Sequence, residues 1–544
     1  MKQDCQNNES LLDGIKYKLR NLQSLINHAQ EAEADGQMIV NSLRDTYKLP
    51  GSYLLDKDIT INLGSIRDIF NQNDDIYIRE FTITALGLKA AIAYIEGMVD
   101  KEIISQTVIH QLLSPKLGET CTDTRQLFEC IHTSLTSAAV KIETKMEAIV
   151  KSMLSGDTAL FVDNNAAAVI IATRKFELRA ISEPMNESTV RGPRDSFTEN
   201  LQVNITLLRR RLVNPNFIVK KMAIGMRCEV DVALVYFRGI TNPSLVYQAE
   251  QRLKGLKVDM VSSSGMVENL INDHPFSPFP TIYATERPDK IVAGMMAGKI
   301  AILVDGTPFV LLAPATLIDY MQAGDDYYEN WLVGSLLRLT RCLAAVFAMT
   351  TPALYVAVTT FHPALIPIPL MLTIATARIG IPFPAFLEGL LMEVLLEILQ
   401  EAGVRLPKTI GPAISIVGGL VLGDSAVRAG LVSAPMVVII SFTAIVSFAL
   451  GSYRISMPLR LFRVALMIAG AALGMFGVIM GVIAIIIHLS TLECFGEPYL
   501  APLTPKNSAR LSDLKDTVIV APPLAMKSRP AYLEQVDSEK LEDK

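Results

Sequence analysis

Cysteine is scarce in this 544-residue chain, with six residues: Cys5, Cys121, Cys130, Cys228, Cys342 and Cys494. None forms a CxxC pair and none stands at metal-ligand spacing from a histidine, so the sequence offers neither a disulfide framework nor a cysteine metal site. Histidine is just as sparse. His110, His132 and His274 have no spaced acidic or Cys partners, and GxSxG, Walker A and HExxH patterns are missing. No catalytic residues, metal or cofactor are therefore expected, and an enzyme is not. The net charge of −5 gives no basic footprint for nucleic acid. The N-terminus, MKQDCQNNES, has no apolar segment of the kind a signal peptide needs. The N-terminal soluble region is accordingly expected on the cytoplasmic side.

The strongest absence is that of charge in the last third. Residues 342–377, 429–453 and 464–487 give 36, 25 and 24 positions without Asp, Glu, Lys or Arg. A membrane-crossing helix needs about 20 mostly apolar residues, and a soluble core helix has no reason to be apolar all round for that length. Residues 331–490 are therefore read as a polytopic α-helical membrane domain of about four to five transmembrane helices plus one amphipathic helix. Tyr327, Tyr328 and Trp331 suit an interfacial aromatic belt, with Arg338 and Arg341 flanking the first span on the cytoplasmic side. His362-Pro363 breaks the first apolar run into two helices. Residues 434–450 and 464–487 read as further spans, the latter with small-xxx-small glycines, and Arg454, Arg460 and Arg463 as a short cytoplasmic loop between them.

Two stretches in this region carry candidate functional residues. Glu393, Glu397 and Glu401 step by four and share a helix face, while Leu390, Leu391, Leu395 and Ile398 cover another. This acidic stripe either lies at the membrane interface or lines a wet vestibule. Residues 411–423 are short and contain four glycines. Ser415, Gly418, Gly419 and Leu422 step by three or four, so they share a face and are the candidates for lining a narrow pore. Whether 411–423 spans or re-enters decides the side of the tail, and the sequence leaves both open. Residues 491–544 read as a polar, disordered tail.

The front of the chain contains a duplication. AIAYIEGMVDKEII from Ala91 matches ALVYFRGITNPSLV from Ala233, and IVKSMLSGDTALFVDN from Ile149 matches IVAGMMAGKIAILVDG from Ile291, both at an offset of 142. Tyr94 answers Tyr236, and Gly156 answers Gly298. The fold class is thus an α/β cytoplasmic region with two duplicated α/β subdomains, 57–181 and 213–330, followed by the membrane domain. Residues 1–56 form an N-terminal extension in which Leu12, Ile15, Leu19, Leu22 and Ile26 make one helical stripe. Residues 182–212 read as a linker and a helix, capped by Asp195 or Ser196 with Glu199 in a capping box, and with Arg209–Arg211 in its last turn.

Four stretches in order, GPRDSFTENLQVNITLLRRRL, PFPTIYATERPDKI, DGTPFVLLAPAT and GPAISIVGGLVLGDSAVRAGLVSAP, resemble the A subunits of spore germinant receptors, the GerA family. The likeness runs from about residue 150 to 500, and the long N-terminal extension is most similar to that of GerK-type A subunits. The resemblance implies a multi-pass protein of the spore inner membrane, or cell membrane, that senses nutrients and triggers spore germination. It implies three kinds of partner besides lipid: a permease-like B subunit, a lipoprotein C subunit, and further A chains in a homo-oligomeric, ligand-gated ion channel. A SpoVAF-like ion-conducting accessory protein shares the same core. A non-conducting membrane scaffold and a transporter subunit would also fit a chain of this organisation. Against the transporter, no internal repeat is found in the membrane region.

Overall fold

The computed structural model describes residues 54–84, 87–113, 139–175, 184, 187, 191–405, 423–504, 513–526, 528–537 and 540. Asp58 opens the first unit: its carboxylate accepts the Thr60 backbone N–H at 2.8 Å and so caps α1 (Ile59–Ile69). A five-stranded antiparallel sheet follows, built from β1 (Ile76–Ile83), β2 (Leu88–Ile95), β3 (Val140–Glu143), β4 (Thr158–Val162) and β5 (Ala168–Ile171) in the order β1-β2-β4-β5-β3. Side chains alternate between the two faces of a strand. Ala91, Ala93, Ile95 and Phe161 therefore pack under α1 and α3 (Met146–Leu154). Their neighbours Ala90, Ile92, Tyr94 and Leu160 meet α2 (Ile103–Leu113) on the other side. With both faces covered, 90–95 of β2, 159–162 of β4 and all of β5 are continuous apolar runs.

The second unit repeats this plan. It comprises α4 (Leu201–Arg211), β6 (Phe217–Ile224), β7 (Val230–Phe237), α5 (Pro243–Lys254), α6 (Ser264–Ile271), β8 (Tyr283–Thr285), α7 (Pro288–Met296), β9 (Ile300–Val304) and β10 (Val310–Ala313). Its strand order is β6-β7-β9-β10-β8. The equivalence reaches single side chains. Asn62 brackets Asp56 through its backbone N–H and carbonyl, and Asn204 brackets Thr198 in the same way. Asp163 and Asp305 each accept the first helical N–H, of Ile59 and Leu201. Gly156 and Gly298 both end a helix at positive φ, 95° and 101°, where a β-carbon is disfavoured.

This pairing revises the sequence expectation for 182–212. The helix is not a linker element but the second unit's counterpart of α1. Its cap is Asn200, whose side chain accepts from Val203 N at 3.0 Å. Asp195 instead pairs with Arg211 at 2.6 Å. Arg209 turns inward to join the two units. Its guanidinium meets both oxygens of Asp75 at 2.8 Å and Asn73 at 2.7 Å, and covers the Phe217 ring. Backbone pairing of Asp74 N with Val219 O at 2.9 Å continues this seam.

The helical part comprises α8 (Trp331–Phe361), α9 (Ile368–Ala377), α10 (Ala385–Arg405), α11 (Ala434–Phe448) and α12 (Tyr453–Thr491). By length and composition α8 and α12 are apolar enough to cross a membrane. However, α12 is not a straight rod. Gly474 takes φ 63° and ψ −144°, and the helix reverses there. Leu466 then fills the space beside Gly481, and Ala469 the space beside Gly477. The Phe462 and His488 rings stand 6.4 Å apart, where a straight helix would separate them by about 39 Å. Thus 464–487, expected as one span, belongs to an antiparallel hairpin of two arms, 453–473 and 475–491. Gly477 and Gly481 serve contact between the arms, Gly470 lies against both Ala353 of α8 and Val478 of the second arm, and Phe361 at the end of α8 packs on the reversal. The arginines expected in a loop lie on the first arm.

The hairpin brings its exit back to the second α/β unit. Cys494 and Phe495 enter that unit's core, and Phe495 N donates to Asp273 at 2.8 Å. Farther on, Asp516 accepts from Arg338 at 2.8 Å and Val536 N reaches Ile240 O at 3.2 Å. The described part of the tail is therefore packed, not disordered, and lies at the same end of the helices as the α/β units.

Both the inter-unit seam and the helix reversal can be tested by single substitutions. Asp75→Ala leaves Arg209 buried without its counter-charge, and the expected loss is about 3–5 kcal/mol. Denaturant unfolding of the purified chain measures it, and pairing the change with Arg209→Met is expected to recover most of the loss. Gly474→Ala forces a β-carbon into a glycine-only conformation 2.9 Å from Phe361 Cβ, with an expected cost of about 1–3 kcal/mol from the backbone alone. A melting scan in detergent showing no loss would mean that the helix runs straight.

Candidate functional site in the helical layer

α10 carries four acidic side chains in the region that its sequence makes most interesting. The structure distributes them unequally. Glu388 is buried and receives Arg378 Nη2 at 3.1 Å and the Ser433 backbone N–H at 3.0 Å. Glu393 is 7% exposed, and both its oxygens accept from Arg463 Nη1 at 3.0 Å. Arg463 is 2% exposed; its Nε donates to Ala348 O at 2.6 Å and its Nη2 to Ser447 Oγ at 2.9 Å. The pair is thus enclosed by α8, α10, α11 and the first arm of α12. One turn along α10, Glu397 meets Arg460 at 3.2 Å at a more open position. Glu401, at the exposed end of the stripe, is also partnered.

Glu393 and Glu397 are four apart on α10, and Arg460 and Arg463 three apart on α12, so two helix faces of opposite charge meet. That spacing was the available signal, and sequence reasoning missed it because the arginines were placed in a loop. Of the acidic stripe, Glu393 is thus buried and paired within the helical layer, whereas Glu397 is more exposed. Buried ion pairs need near-complete hydrogen bonding to offset their lost hydration, which Ala348 O and Ser447 supply to Arg463. The pore candidates Ser415, Gly418, Gly419 and Leu422 lie outside the described residues. The expected Asp424–Arg428 pair forms at 2.8 Å on the surface.

A second charged centre joins the helices to the α/β region. Asp326 has no exposed side-chain surface and lies between Arg338, at 3.1 Å, and Arg341, whose Nη2 reaches both its oxygens. Arg338 also holds Asp516 at 2.8 Å. These arginines are therefore buried in a joint and not presented to a membrane surface. Tyr327 likewise donates to Asp516 at 2.8 Å, and Tyr328 to Asp289 at 2.8 Å. Burial, reinforced by Asp289, pushes the Tyr328 phenol up to about 12. Trp331 is 41% exposed.

Between the two α/β units lies a cleft of about 350 Å³ lined by Glu96, Gly97, Asp100, Lys101, Gln202 and Arg210 among others. Its charges are already engaged. The hydrogen bond from Lys101, helped by Lys221, holds Glu96 below the usual carboxylate range, and that from Lys175 does the same for Asp100. Among the described residues no group of three or more His, Cys, Asp or Glu is placed to hold a metal. Cys228, Cys342 and Cys494 are free thiols.

Residues 64–532 match the model of the Bacillus/Clostridium GerA spore germination protein family. Spore germination protein KA of Bacillus subtilis (strain 168) is 39% identical over 485 residues, covering 89% of this chain and 88% of the relative. Spore germination protein GerLA of Bacillus cereus is 38% identical over 476 residues, covering 88% of this chain and 96% of the relative. The crystal structure of the N-terminal domain of the A subunit of the Bacillus megaterium spore germinant receptor GerK3 aligns with a TM-score of 0.40 at 32% identity, covering 49% of this chain and 99% of that one. With a match that spans both α/β units, the helical layer and most of the packed tail, this chain belongs to the GerA family of spore germination proteins.

Proposed function

We propose that this chain is the A subunit of a nutrient germinant receptor in the spore inner membrane. In this reading the helices α8 and α10–α12 form a multi-pass layer, and the α/β units stay on the cytoplasmic side. Copies of the chain assemble with a permease-like B subunit and a lipoprotein C subunit into a cation-conducting oligomer that opens when nutrient is sensed. Family membership supports the receptor role. The observation that carries the ion-conducting role is the Glu393–Arg463 pair within an apolar helical layer. Ionisable residues at such depth are costly, and they mark ion pathways and switches more often than scaffolding.

The chemistry follows from the pair. While Arg463 holds both Glu393 oxygens, the layer carries no net charge at that point. A shift of the hairpin arm relative to α10 separates the two, and the freed carboxylate then offers a cation a site in an otherwise apolar path. Ala348 O and Ser447 keep Arg463 hydrogen-bonded, so the arginine has a defined resting place. Glu397 and Arg460, one turn away and more exposed, form the next step toward water. Ser415, Gly418, Gly419 and Leu422 are proposed to line the narrow part of the path, where an apolar constriction gates by dewetting.

Glu393→Gln is expected to slow cation release after nutrient addition while chain abundance stays near that of the parent, measured by ion efflux from spores alongside an immunoblot. Normal efflux would assign the pair a purely structural role. Gly419→Ser places a hydroxyl on the proposed gate and is expected to leave dormant spores leaky to cations; reduced protein with no leak would mean that the glycine serves packing alone.

A further inference from the structure

The loop between α6 and β8 reads Asn-Asp-His-Pro-Phe-Ser-Pro-Phe-Pro over residues 272–280 and contains the most exposed large apolar side chain described. Phe276 is 100% exposed, and Pro275 and Pro278 beside it are exposed as well. Such a group is not held out by floppiness, since both feet of the loop are fastened. Ser277 N donates to His274 O at 3.0 Å, closing a turn with Phe276 at its tip. Ser277 Oγ meets His488 Nε2 at 3.0 Å, and the Phe279 ring stacks on Phe462 at 5.3 Å. Thr281 Oγ1 donates to Asn272 at 2.9 Å. The turn is thus clamped to both arms of the α12 hairpin.

The nearby charges are paired. Asp273 pairs with Arg252 at 2.7 Å and accepts from Phe495 N, and Glu268 on α6 pairs with Arg454 at 2.6 Å. The level of the clamp is informative. His488 and Phe462 are each about 20 Å along their arm from the reversal at Gly474, whereas a hydrocarbon core is about 30 Å thick. Over the same stretch of the arms, Leu461, Ile483, Ile486 and Ile487 are exposed. If the reversal reaches the far side of the hydrocarbon, the clamp lies within its near side.

We infer that the 272–280 loop dips into the lipid boundary beside the hairpin, with Phe276 as a wedge that seats the second α/β unit on the bilayer. This rests on the membrane reading of the helical layer. Lipid is the occupant that continues the exposed apolar surface of the arms, and a proline-flanked aromatic whose neighbouring charges are paired suits the boundary between headgroups and acyl chains. A protein partner covering Phe276 is the competing outcome.

Trp331 is the only tryptophan, which makes a clean optical test available. In a Trp331→Phe background, Phe276→Trp supplies one probe and Phe476→Trp, on the second arm at 64% exposure, supplies the reference. The full chain is reconstituted in phosphatidylcholine–phosphatidylglycerol vesicles with and without acyl-chain bromine. The expected result is blue-shifted emission from the F276W probe, with its intensity at least halved by the brominated lipid, as for the F476W probe. Quenching of the F476W probe alone would place the chain in the bilayer and the loop outside it, overturning this inference and leaving the membrane reading intact. Blue-shifted F276W emission insensitive to both bromine and acrylamide would show that protein covers the loop. No quenching of either probe would overturn the membrane reading together with the inference.

Discussion

The structure depends on a carboxylate that has no access to water. Asp326 lies where the second α/β unit ends and α8 begins, gripped by Arg338 and Arg341 from successive turns of that helix. Removing such charges from water costs several kcal/mol per ion, and only close, well-directed pairing offsets it. The geometry is therefore narrow: α8 can leave the α/β unit in one direction and at one rotation about its axis. Gly334 tightens the joint further, since a β-carbon there would collide with the Asp326 carbonyl. Arg338 then extends the grip to Asp516, so the same joint holds the tail.

The other major seams use the same device. Arg209 with Asp75 joins the two α/β units, Arg454 with Glu268 joins the hairpin to α6, and Arg463 with Glu393 joins the hairpin to α10. Arginine suits this work because its planar fork satisfies two carboxylate oxygens and still has donors left for a backbone carbonyl or a hydroxyl. Apolar packing between small residues tolerates gradual sliding, whereas a buried ion pair holds one position until its partners separate. These three pairs and the Asp326 joint therefore define how one part of the chain is placed on the next. They lead from the first α/β unit to the interior of the helical layer without a break in chemistry.

Much of the α/β region was legible in the residues. Tyr94 and Tyr236, Gly156 and Gly298, and Asp163 and Asp305 mark the repeat because each answers a local demand, for a packed strand, a positive φ or an N–H acceptor. α4 escaped recognition as part of that repeat because its contacts with the first unit, through Gln202, Thr206 and Arg209, are visible only in the fold. Its true cap, Asn200, stands beside three other residues able to cap a helix, and only the fold selects among them. In the helical layer, Glu393 and Glu397 were visible as a stripe. Their partners were not, since the spacing of Arg460 and Arg463 suits a loop as well as a helix face and does not say which carboxylates they meet.

Local chemistry in the chain accounts for the apolar runs, the duplicated α/β plan, the glycine turns and the family to which the chain belongs. These follow from short-range patterns: period-two and helical spacing, caps, and residues that tolerate positive φ. Whether residues 464–487 form a rod or part of a hairpin was beyond that range, because an apolar run is equally apolar straight or folded, and one torsion at Gly474 decides it. The same fold places the tail beside the α/β units and buries Arg463 against Glu393. Such outcomes belong to tertiary structure because a buried charge and a reversed helix are stabilised only by partners supplied from elsewhere in the chain.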